Sequence, residues 1–300
     1  MCAYFEKKAM VIVNPCAGRK RLSPQLLDIA DLFSRGGIET TVYTTSARGD
    51  ATSFVQRYSH KFDIIVCRGG DGTLHEVVNG ILTLDRRIPI GYIPSGTTND
   101  LAKSLGIPNN ARKAISVIIN GKPVGNDVGQ FNSDSYFTYS ASFGAFTSCS
   151  YDTPQWMKNR FGHAAYVYEG AKTVKQIHPI RVKVRSNEFE TDWDEFVFGT
   201  VANSLSLGNV IKLDKNIVDL NDGKFEVMLI KKPDSFQAWM DTLASVFSKK
   251  YDKRYIKFFQ SSEINLEFED DVPWTTDGES GGSFENVNIK NMKDAVVIFR

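Results

Sequence analysis

The residues best suited to chemistry sit in one short turn, Gly69-Gly70-Asp71-Gly72-Thr73. Three glycines leave backbone N–H groups open to a close approach that a Cβ would block. The turn follows an apolar run at residues 62–67 and leads into Leu74-His75-Glu76-Val77-Val78. Thr73 and Glu76 have the spacing of a capping box, so a helix is expected to start there. A glycine turn between a strand and a helix N-terminus favours phosphate. The common nucleotide motifs are missing: there is no GxxxxGKS/T, and His75 occupies the place of the third glycine of GxGxxG. Asp71 is the informative residue. A carboxylate beside phosphate is repulsive unless a cation lies between them, and the Mg²⁺ that accompanies ATP is the natural candidate. The alternative is a plain strand–helix turn with a capping aspartate.

Two other segments have related character. Val11-Ile12-Val13 runs into Asn14-Pro15-Cys16-Ala17-Gly18 and then the cations Arg19, Lys20 and Arg21. Such cations suit a triphosphate, although a basic run is more often solvated surface. Ile90-Gly91-Tyr92-Ile93 runs into Pro94-Ser95-Gly96-Thr97-Thr98-Asn99-Asp100, whose hydroxyls and Asn99 could cap a helix or bind a ligand. Neither is decisive alone. All three would lie at the carboxyl ends of strands in one parallel sheet, where open α/β sheets bind ligands.

The elements needed to hold these segments are legible over the first ~125 residues. Short β-branched runs at residues 9–13, 40–43, 62–67 and 89–93 alternate with helical spacing, as in Leu26, Ile29, Ala30 and Phe33. This alternation predicts βαβ units and a mostly parallel sheet. Beyond it, strands are expected at residues 136–142, 180–185, 195–201, 225–230, 263–268 and 287–290. Two helices interrupt them, one from Thr153-Pro154 and one from near Asp234. The expected fold class is α/β with two domains: a doubly wound, mostly parallel α/β domain over residues 1–125 and a β-sandwich-like domain over residues 126–284. The boundary is placed near residues 121–127. The last apolar run, 295–299, could be an edge strand of either domain, and residues 285–300 could pack back on the first.

Composition sets the frame. The chain has 300 residues, 42% hydrophobic and 24% charged, which is ordinary for a soluble globular protein. No apolar run approaches the roughly 18 residues of a spanning helix. Met10-Val11-Ile12-Val13 is too short for a signal-peptide core. The net charge of +1 gives no global basic field, so nucleic acid is not an expected partner and any attraction to anionic lipid must be local. Cys2, Cys16, Cys67 and Cys149 form no CxxC pair, which fits a reducing cytoplasm.

Taken together, Asn14-Pro15-x-Ala17-Gly18, Gly69-Gly70-Asp71-Gly72-Thr73 and Pro94-x-Gly96-Thr97-x-Asn99-Asp100 resemble the three signature segments of the diacylglycerol kinase catalytic family. The similarity is closest to the soluble bacterial diacylglycerol and lipid kinases and extends over nearly the whole chain. Gly69–Thr73 alone is shared with NAD kinases and, more loosely, with 6-phosphofructokinases. The resemblance implies transfer of the γ-phosphate of ATP to a lipid hydroxyl, first of all diacylglycerol to phosphatidic acid. Phosphatidylglycerol or a sphingoid base are alternative acceptors; an NAD-kinase-like enzyme and a non-catalytic lipid or nucleotide sensor fit less well. It implies an ATP site made of Asn14, Pro15, Gly18, Arg19, Thr45, Gly69, Gly70, Asp71, Gly72, Thr73, Glu76, Gly96, Thr97 and Asn99, with Asp71 organising the catalytic Mg²⁺.

The resemblance also draws in two distant segments. Asp219-Leu220-Asn221-Asp222-Gly223-Lys224-Phe225 reads otherwise as a hairpin turn. It implies a structural Mg²⁺ bound by the Asp222 side chain and by the carbonyls of Asp219 and Lys224. Asp127 could join that network. Thr276-Asp277-Gly278-Glu279, otherwise also a turn, matches the segment that supplies the proton-accepting carboxylate. Glu279 is preferred as base and Asp277 is a close second. The active site would be the cleft between the domains. His75 stands where relatives usually have asparagine and has no assigned role. Phe143-Gly144-Ala145-Phe146 and Tyr166-x-Tyr168 could line an acyl groove but read more readily as core. Lys249-Lys250-Tyr251-Asp252-Lys253-Arg254 is the best local basic patch, either a solvated helix end or a contact for anionic headgroups. The expected setting is cytoplasmic and peripheral at the inner membrane face, with a membrane lipid as substrate, no nucleic acid, and room for a homodimer.

Overall fold

A computed structural model describes residues 5–18, 23–145, 178–207, 211–213 and 218–300. The first unit is built on four parallel strands, β1 (Lys7–Val13), β2 (Ile38–Thr44), β3 (Ile64–Gly69) and β4 (Ile90–Pro94). Their order is β2-β1-β3-β4. β3 and β4 are buried along their whole length, and β1 over its last five residues, as expected of central strands covered on both faces. The edge strand β2 is mostly exposed. Helices α1 (Ser23–Arg35) and α5 (Ala111–Asn120) pack together, as do α2 (Asp50–Tyr58) and α3 (Asp71–Leu82). A short α4 (Asp100–Ser104) follows β4. Strand order reverses between β1 and β3, so a crevice opens at their carboxyl ends.

The second unit is strand-rich: β5 (Pro123–Phe131), β6 (Ser135–Phe137), β7 (Ser140–Gly144), β8 (Ile180–Ser186), β9 (Glu190–Ala202), β10 (Ser206–Leu207), β11 (Ile211–Lys212) and β12 (Phe225–Lys231). Helix α6 (Phe236–Ser248), β13 (Ile256–Ser261), β14 (Glu263–Thr276) and β15 (Glu279–Phe299) complete it. Its strands pair antiparallel around an aromatic core in which Phe131, Phe143 and Phe268 surround Trp274. Phe143 is therefore core rather than acyl groove. Phe146, Tyr166, Tyr168 and the helix expected from Thr153 lie outside the described residues. No helix among the described residues is long and apolar enough to cross a membrane.

Two strand expectations change. The run at 136–142 is not one strand but two, β6 and β7, because Thr138, Tyr139 and Ser140 direct their N–H groups to the Asp277 carboxylate instead of to a ladder. The terminal run joins both units. β15 pairs first with β14, then with β5, and finally sets Ile298 parallel to Ile90 of β4. Arg300 and Lys122 exchange backbone hydrogen bonds of 3.1 Å.

Candidate functional site

The crevice at the carboxyl ends of β1 and β3 holds a cavity of about 520 Å³. Its floor is the meeting of two glycine turns. A Cβ on Gly96 would lie 2.6 Å from Gly70 Cα and 2.9 Å from Asn99 Oδ1, so only glycine lets the turns after β3 and β4 touch. Asn99, buried and left-handed at φ 50°, ties its turn from inside: its Oδ1 accepts from Gly96 N at 3.0 Å and its Nδ2 donates to Gly96 O at 3.0 Å. The turn after β1 is pinned in the same way. Asn14 Nδ2 donates to Thr73 Oγ1 at 3.0 Å, and Asn14 Oδ1 accepts from Cys16 N at 2.9 Å.

Helix α3 starts at Asp71 with Gly70 as its N-cap and no side-chain cap. The expected Thr73–Glu76 capping box is thus not formed. Glu76 caps a different helix: its carboxylate accepts from Gly49 N at 2.9 Å and Ala51 N at 3.1 Å, at the start of α2. Asp71, at the first helical position, is not on the cavity wall. Burial pushes its carboxyl above the usual range, and the N–H groups of Asp100, Leu101 and Asn99 offset part of that. Its Oδ1 is buried without a hydrogen-bond partner.

The two carboxylates of the β14–β15 turn differ sharply. Asp277, left-handed at φ 50°, has a fully buried side chain. Its Oδ2 accepts from Thr138 N at 2.7 Å and Thr138 Oγ1 at 2.9 Å, and lies 2.9 Å from His75 Nδ1. Its Oδ1 accepts from Tyr139 N at 2.8 Å and Ser140 N at 3.2 Å. That carboxylate is saturated with donors. Glu279 is 45% exposed, lies on the cavity wall close to Gly72, and has Arg48 at 3.7 Å. His75, which had no role in sequence, connects α3 of the first unit to this turn of the second. Burial pushes its pKa down, but the hydrogen bond to Asp277 and the charges of Asp277, Glu279 and Glu76 outweigh that, and the result is raised above 6.5.

Of the residues singled out in sequence, Asn14, Gly18, Thr45, Gly70, Gly72, Thr73, Glu76, Gly96, Thr97 and Glu279 line the cavity. Pro15, Gly69, Asp71, Asn99 and Asp277 do not; Asp71, Asn99 and Asp277 act from behind it through the contacts above. Arg19 lies outside the described residues. Sequence reasoning passed over Ser46, Ala47 and Arg48 on the wall. Their signal was present: they follow β2, a further strand of the same sheet, and Asp50 Oδ2 accepts from Ser46 N at 2.7 Å and Ala47 N at 2.8 Å. Those bonds hold the Asp50 carboxyl below its usual range.

Asp219, Asp222 and Lys224 lie apart from this cavity, in the turn before β12. Asp219 Oδ1 accepts from Asn221 N at 3.1 Å and Asp222 Oδ1 from Lys224 N at 2.8 Å. Asp127 does reach the turn: its Oδ2 accepts from Gly223 N at 2.8 Å and its Oδ1 from Asp294 N at 2.9 Å. Among the described residues no cluster of three or more His, Cys, Asp or Glu could hold a metal. What surrounds the turn is buried oxygen without a partner, at Asn126 Oδ1, Asn203 Oδ1 and Asn221 Oδ1. Amide oxygens beside the exposed carboxylates of Asp219 and Asp222 are hard donors of the kind that suits a hydrated Mg²⁺.

Residues 8–131 match the diacylglycerol kinase catalytic domain, and residues 142–296 match the YegS C-terminal NAD kinase beta sandwich-like domain. The diacylglycerol kinase of Bacillus subtilis (strain 168) is 32% identical over 287 residues, covering 94% of each chain. That of Staphylococcus aureus (strain bovine RF122 / ET3-1) is 32% identical, covering 98% of this chain and 93% of the other. A crystal structure from Bacillus anthracis str. Sterne, provisionally named a diacylglycerol kinase, superposes with a TM-score of 0.83 at 27% identity, covering 98% and 96% of the two chains. An NAD kinase from Archaeoglobus fulgidus in complex with ATP shares the fold, with a TM-score of 0.56 at 16% identity over 98% and 93% of the chains.

Proposed function

The chain belongs to the diacylglycerol kinase family, and from that premise we propose that it transfers the γ-phosphate of ATP to the hydroxyl of diacylglycerol, giving phosphatidic acid. The observation that carries this reading is the single cavity wall shared by three glycine-bearing turns and one accessible carboxylate, Glu279. The turns after β1, β3 and β4 present backbone N–H groups to the phosphates. Glu279 accepts the proton of the attacking hydroxyl. A weak base is sufficient, because the phosphoryl transition state is loose and the alcohol need not ionise early. Asp277 does not serve as base, since every acceptor position it offers is taken from the protein side. It fixes the left-handed turn that aims Glu279, and His75 holds that turn against α3.

Mg²⁺, when bound with ATP, would neutralise charge developing on the phosphates. Asp71, with one buried carboxylate oxygen unpartnered, is the residue of this chain that fits that demand. A second, structural Mg²⁺ fits the oxygens around Asp222, Asp219 and Lys224. The test is a radiolabelled-ATP assay over diacylglycerol, phosphatidylglycerol and sphingoid bases in mixed micelles. The reading expects diacylglycerol to be the best acceptor and Glu279→Gln to slow transfer about 100-fold or more. Equal labelling of a water-soluble acceptor, or full activity of Glu279→Gln, would overturn it.

A further inference from the structure

Of the arginines and lysines among the described residues, only Arg48 lines the cavity, where it faces the carboxylates of Glu76 and Glu279. Glu76 is committed, since it accepts from Gly49 N and Ala51 N. His75 is committed too, with Nδ1 on Asp277. The Arg48 guanidinium makes no hydrogen bond among the described residues. Its side chain is 75% exposed, and its one ion pair there is with Glu279 Oε2 at 3.7 Å, too long for a hydrogen bond. A surface pair of that kind is weakly held. The backbone that carries it is fixed. Asp50 Oδ2 accepts from Ser46 N at 2.7 Å and Ala47 N at 2.8 Å on one side, and Glu76 of α3 holds Gly49 and Ala51 on the other. Gly49 takes the left-handed conformation, φ 86°, that turns the chain from Arg48 into α2. A pinned turn thus presents an uncommitted guanidinium to the cavity.

Glu279 is seated where positive charge gathers. A Cβ on Gly72 would lie 3.5 Å from its Oε1, so that oxygen sits over the first turn of α3, while Oε2 faces Arg48. The N-terminus of α3 and this guanidinium are also what the phosphates of ATP would use. Carboxylate and phosphate therefore compete for the same charge. The phosphate prevails, because a guanidinium binds it through two parallel hydrogen bonds and leaves a pair that has none. We propose that Arg48 changes partner when ATP binds: it leaves Glu279 for the γ-phosphate, and the released carboxylate takes the proton of the acceptor hydroxyl. The γ-phosphate is singled out because the oxygen that attacks it must also touch Glu279, the present neighbour of Arg48. In the transfer the hydroxyl oxygen bonds to the γ-phosphorus and its proton goes to Glu279. The bond to the β,γ-bridging oxygen breaks, with its electron pair leaving on ADP. Arg48 offsets charge on the group in transit. Glu279 is thus offered to an acceptor only when a phosphoryl donor is in place.

The proposal rests on the kinase reading for the role of Glu279, so its test reads nucleotide binding without turnover. Calorimetry with Mg²⁺ and no lipid compares ADP with the β,γ-imido analogue of ATP on the whole chain. Arg48→Ala should weaken the ATP analogue about tenfold and ADP less than about twofold. Arg48→Lys, which keeps the charge, should recover most of that affinity. Glu279→Gln frees Arg48 beforehand, so it should tighten the analogue about fivefold, and less than about twofold in an Arg48→Ala background. Each variant changes an exposed side chain and should melt as the wild type does. In turnover, Arg48→Ala should lower kcat about 100-fold, with part of the loss restored by free guanidinium ion. Equal weakening of both nucleotides by Arg48→Ala would assign the residue to holding its turn and overturn the proposal, as would wild-type affinity for the analogue. A gain from Glu279→Gln that is equal or larger without Arg48 would show that the guanidinium bridges the two anions instead of passing between them, and would overturn it too. A wild type that gives the expected binding pattern but phosphorylates no lipid alcohol would sink the diacylglycerol reading and leave the exchange of partners standing.

Discussion

Replacing each carboxylate of the β14–β15 turn separates the groove's chemistry from its scaffolding. In Asp277→Asn one acceptor oxygen survives and the other becomes a donor. On the wild-type carboxylate, Oδ1 serves Tyr139 N and Ser140 N, and Oδ2 serves Thr138 N, Thr138 Oγ1 and His75. Whichever way the amide turns, at least two buried donors lose their acceptor. Each such loss costs about 1–3 kcal/mol, so about 3 kcal/mol of stability should disappear. Glu279→Gln should behave in the opposite way. Its side chain is 45% exposed and its one ion pair among the described residues, to Arg48 at 3.7 Å, is a surface pair. Its removal should move stability by no more than about 0.5 kcal/mol. Its cost should fall on the rate, about 100-fold or more for loss of a positioned base. Urea unfolding followed by tryptophan fluorescence gives the first quantity, and labelled-ATP transfer below the unfolding range gives the second. The reasoning fails if Asp277→Asn unfolds at the wild-type midpoint while losing more activity than Glu279→Gln.

Other expectations follow from single contacts. Gly96→Ala puts a Cβ 2.6 Å from Gly70 Cα; it should raise the KM for ATP about tenfold or more and lower the melting temperature, both read on the same preparation. His75 has a pKa raised above 6.5 in the fold, so its pairing with Asp277 is fully present below 6.5 and is lost as pH rises through the raised folded value. Unfolding across pH 6–9 should show that decline in the wild type and not in His75→Asn. Burial pushes the Glu226 carboxyl from 4.5 up to about 7, so the folded state holds an extra proton between those values and stability falls as pH rises through them. In the presence of chelator, Glu226→Gln should remove this slope and recover about 3 kcal/mol at pH 8. Cys16 is exposed on the cavity wall and Cys67 is buried with its thiol pushed up by burial. In a Cys2→Ser/Cys149→Ser background, ATP should slow thiol labelling of Cys16, and Cys67 should react only on unfolding.

The parallel half of the fold was legible because its signals are local. Buried runs of β-branched residues closed by Gly, Pro or Asp give both the strand and the place where it ends, and in such sheets the ends are the site. The glycine turn at 69–72 could be placed at the cavity for the same reason. What was not legible depended on contacts far apart in sequence. Glu76 has capping-box spacing, yet its carboxylate goes to N–H groups 25 and 27 residues away. His75 and Asp277 are separated by 202 residues, so nothing in the local sequence of either shows that they touch. The difference between Asp277 and Glu279 likewise needed burial. Two carboxylates in one turn look equivalent until one is seen to be filled by the backbone of residues 138–140. That same carboxylate explains why an apolar run long enough for one strand, 136–142, is broken in two.

The proposed function requires Glu279, as base, and the glycine turns, as phosphate loops, to be held in register, although they come from opposite ends of the chain. Strand β15 supplies the link. It begins at Glu279 on the cavity wall and ends at Phe299, where Ile298 lies beside Ile90 of β4. Four residues beyond Ile90, β4 ends at Pro94 and the Gly96 turn of the floor begins. One continuous strand therefore touches both the proposed base, Glu279, and the strand that supports the Gly96 turn. The second tie is the His75–Asp277 contact, which crosses from α3 to the turn directly at the cavity. With β15 fixing the far end and His75 the near end, the β14–β15 turn has two anchors on the first unit. Loss of either should misplace Glu279 without touching it. His75→Ala, which gives up the contact, should lower kcat more than it raises the KM for ATP, because the glycine floor is unchanged. His75→Asn, which can still donate to Asp277, should recover most of the loss. Equal damage from the two substitutions would show that the imidazole acts by something other than holding the turn.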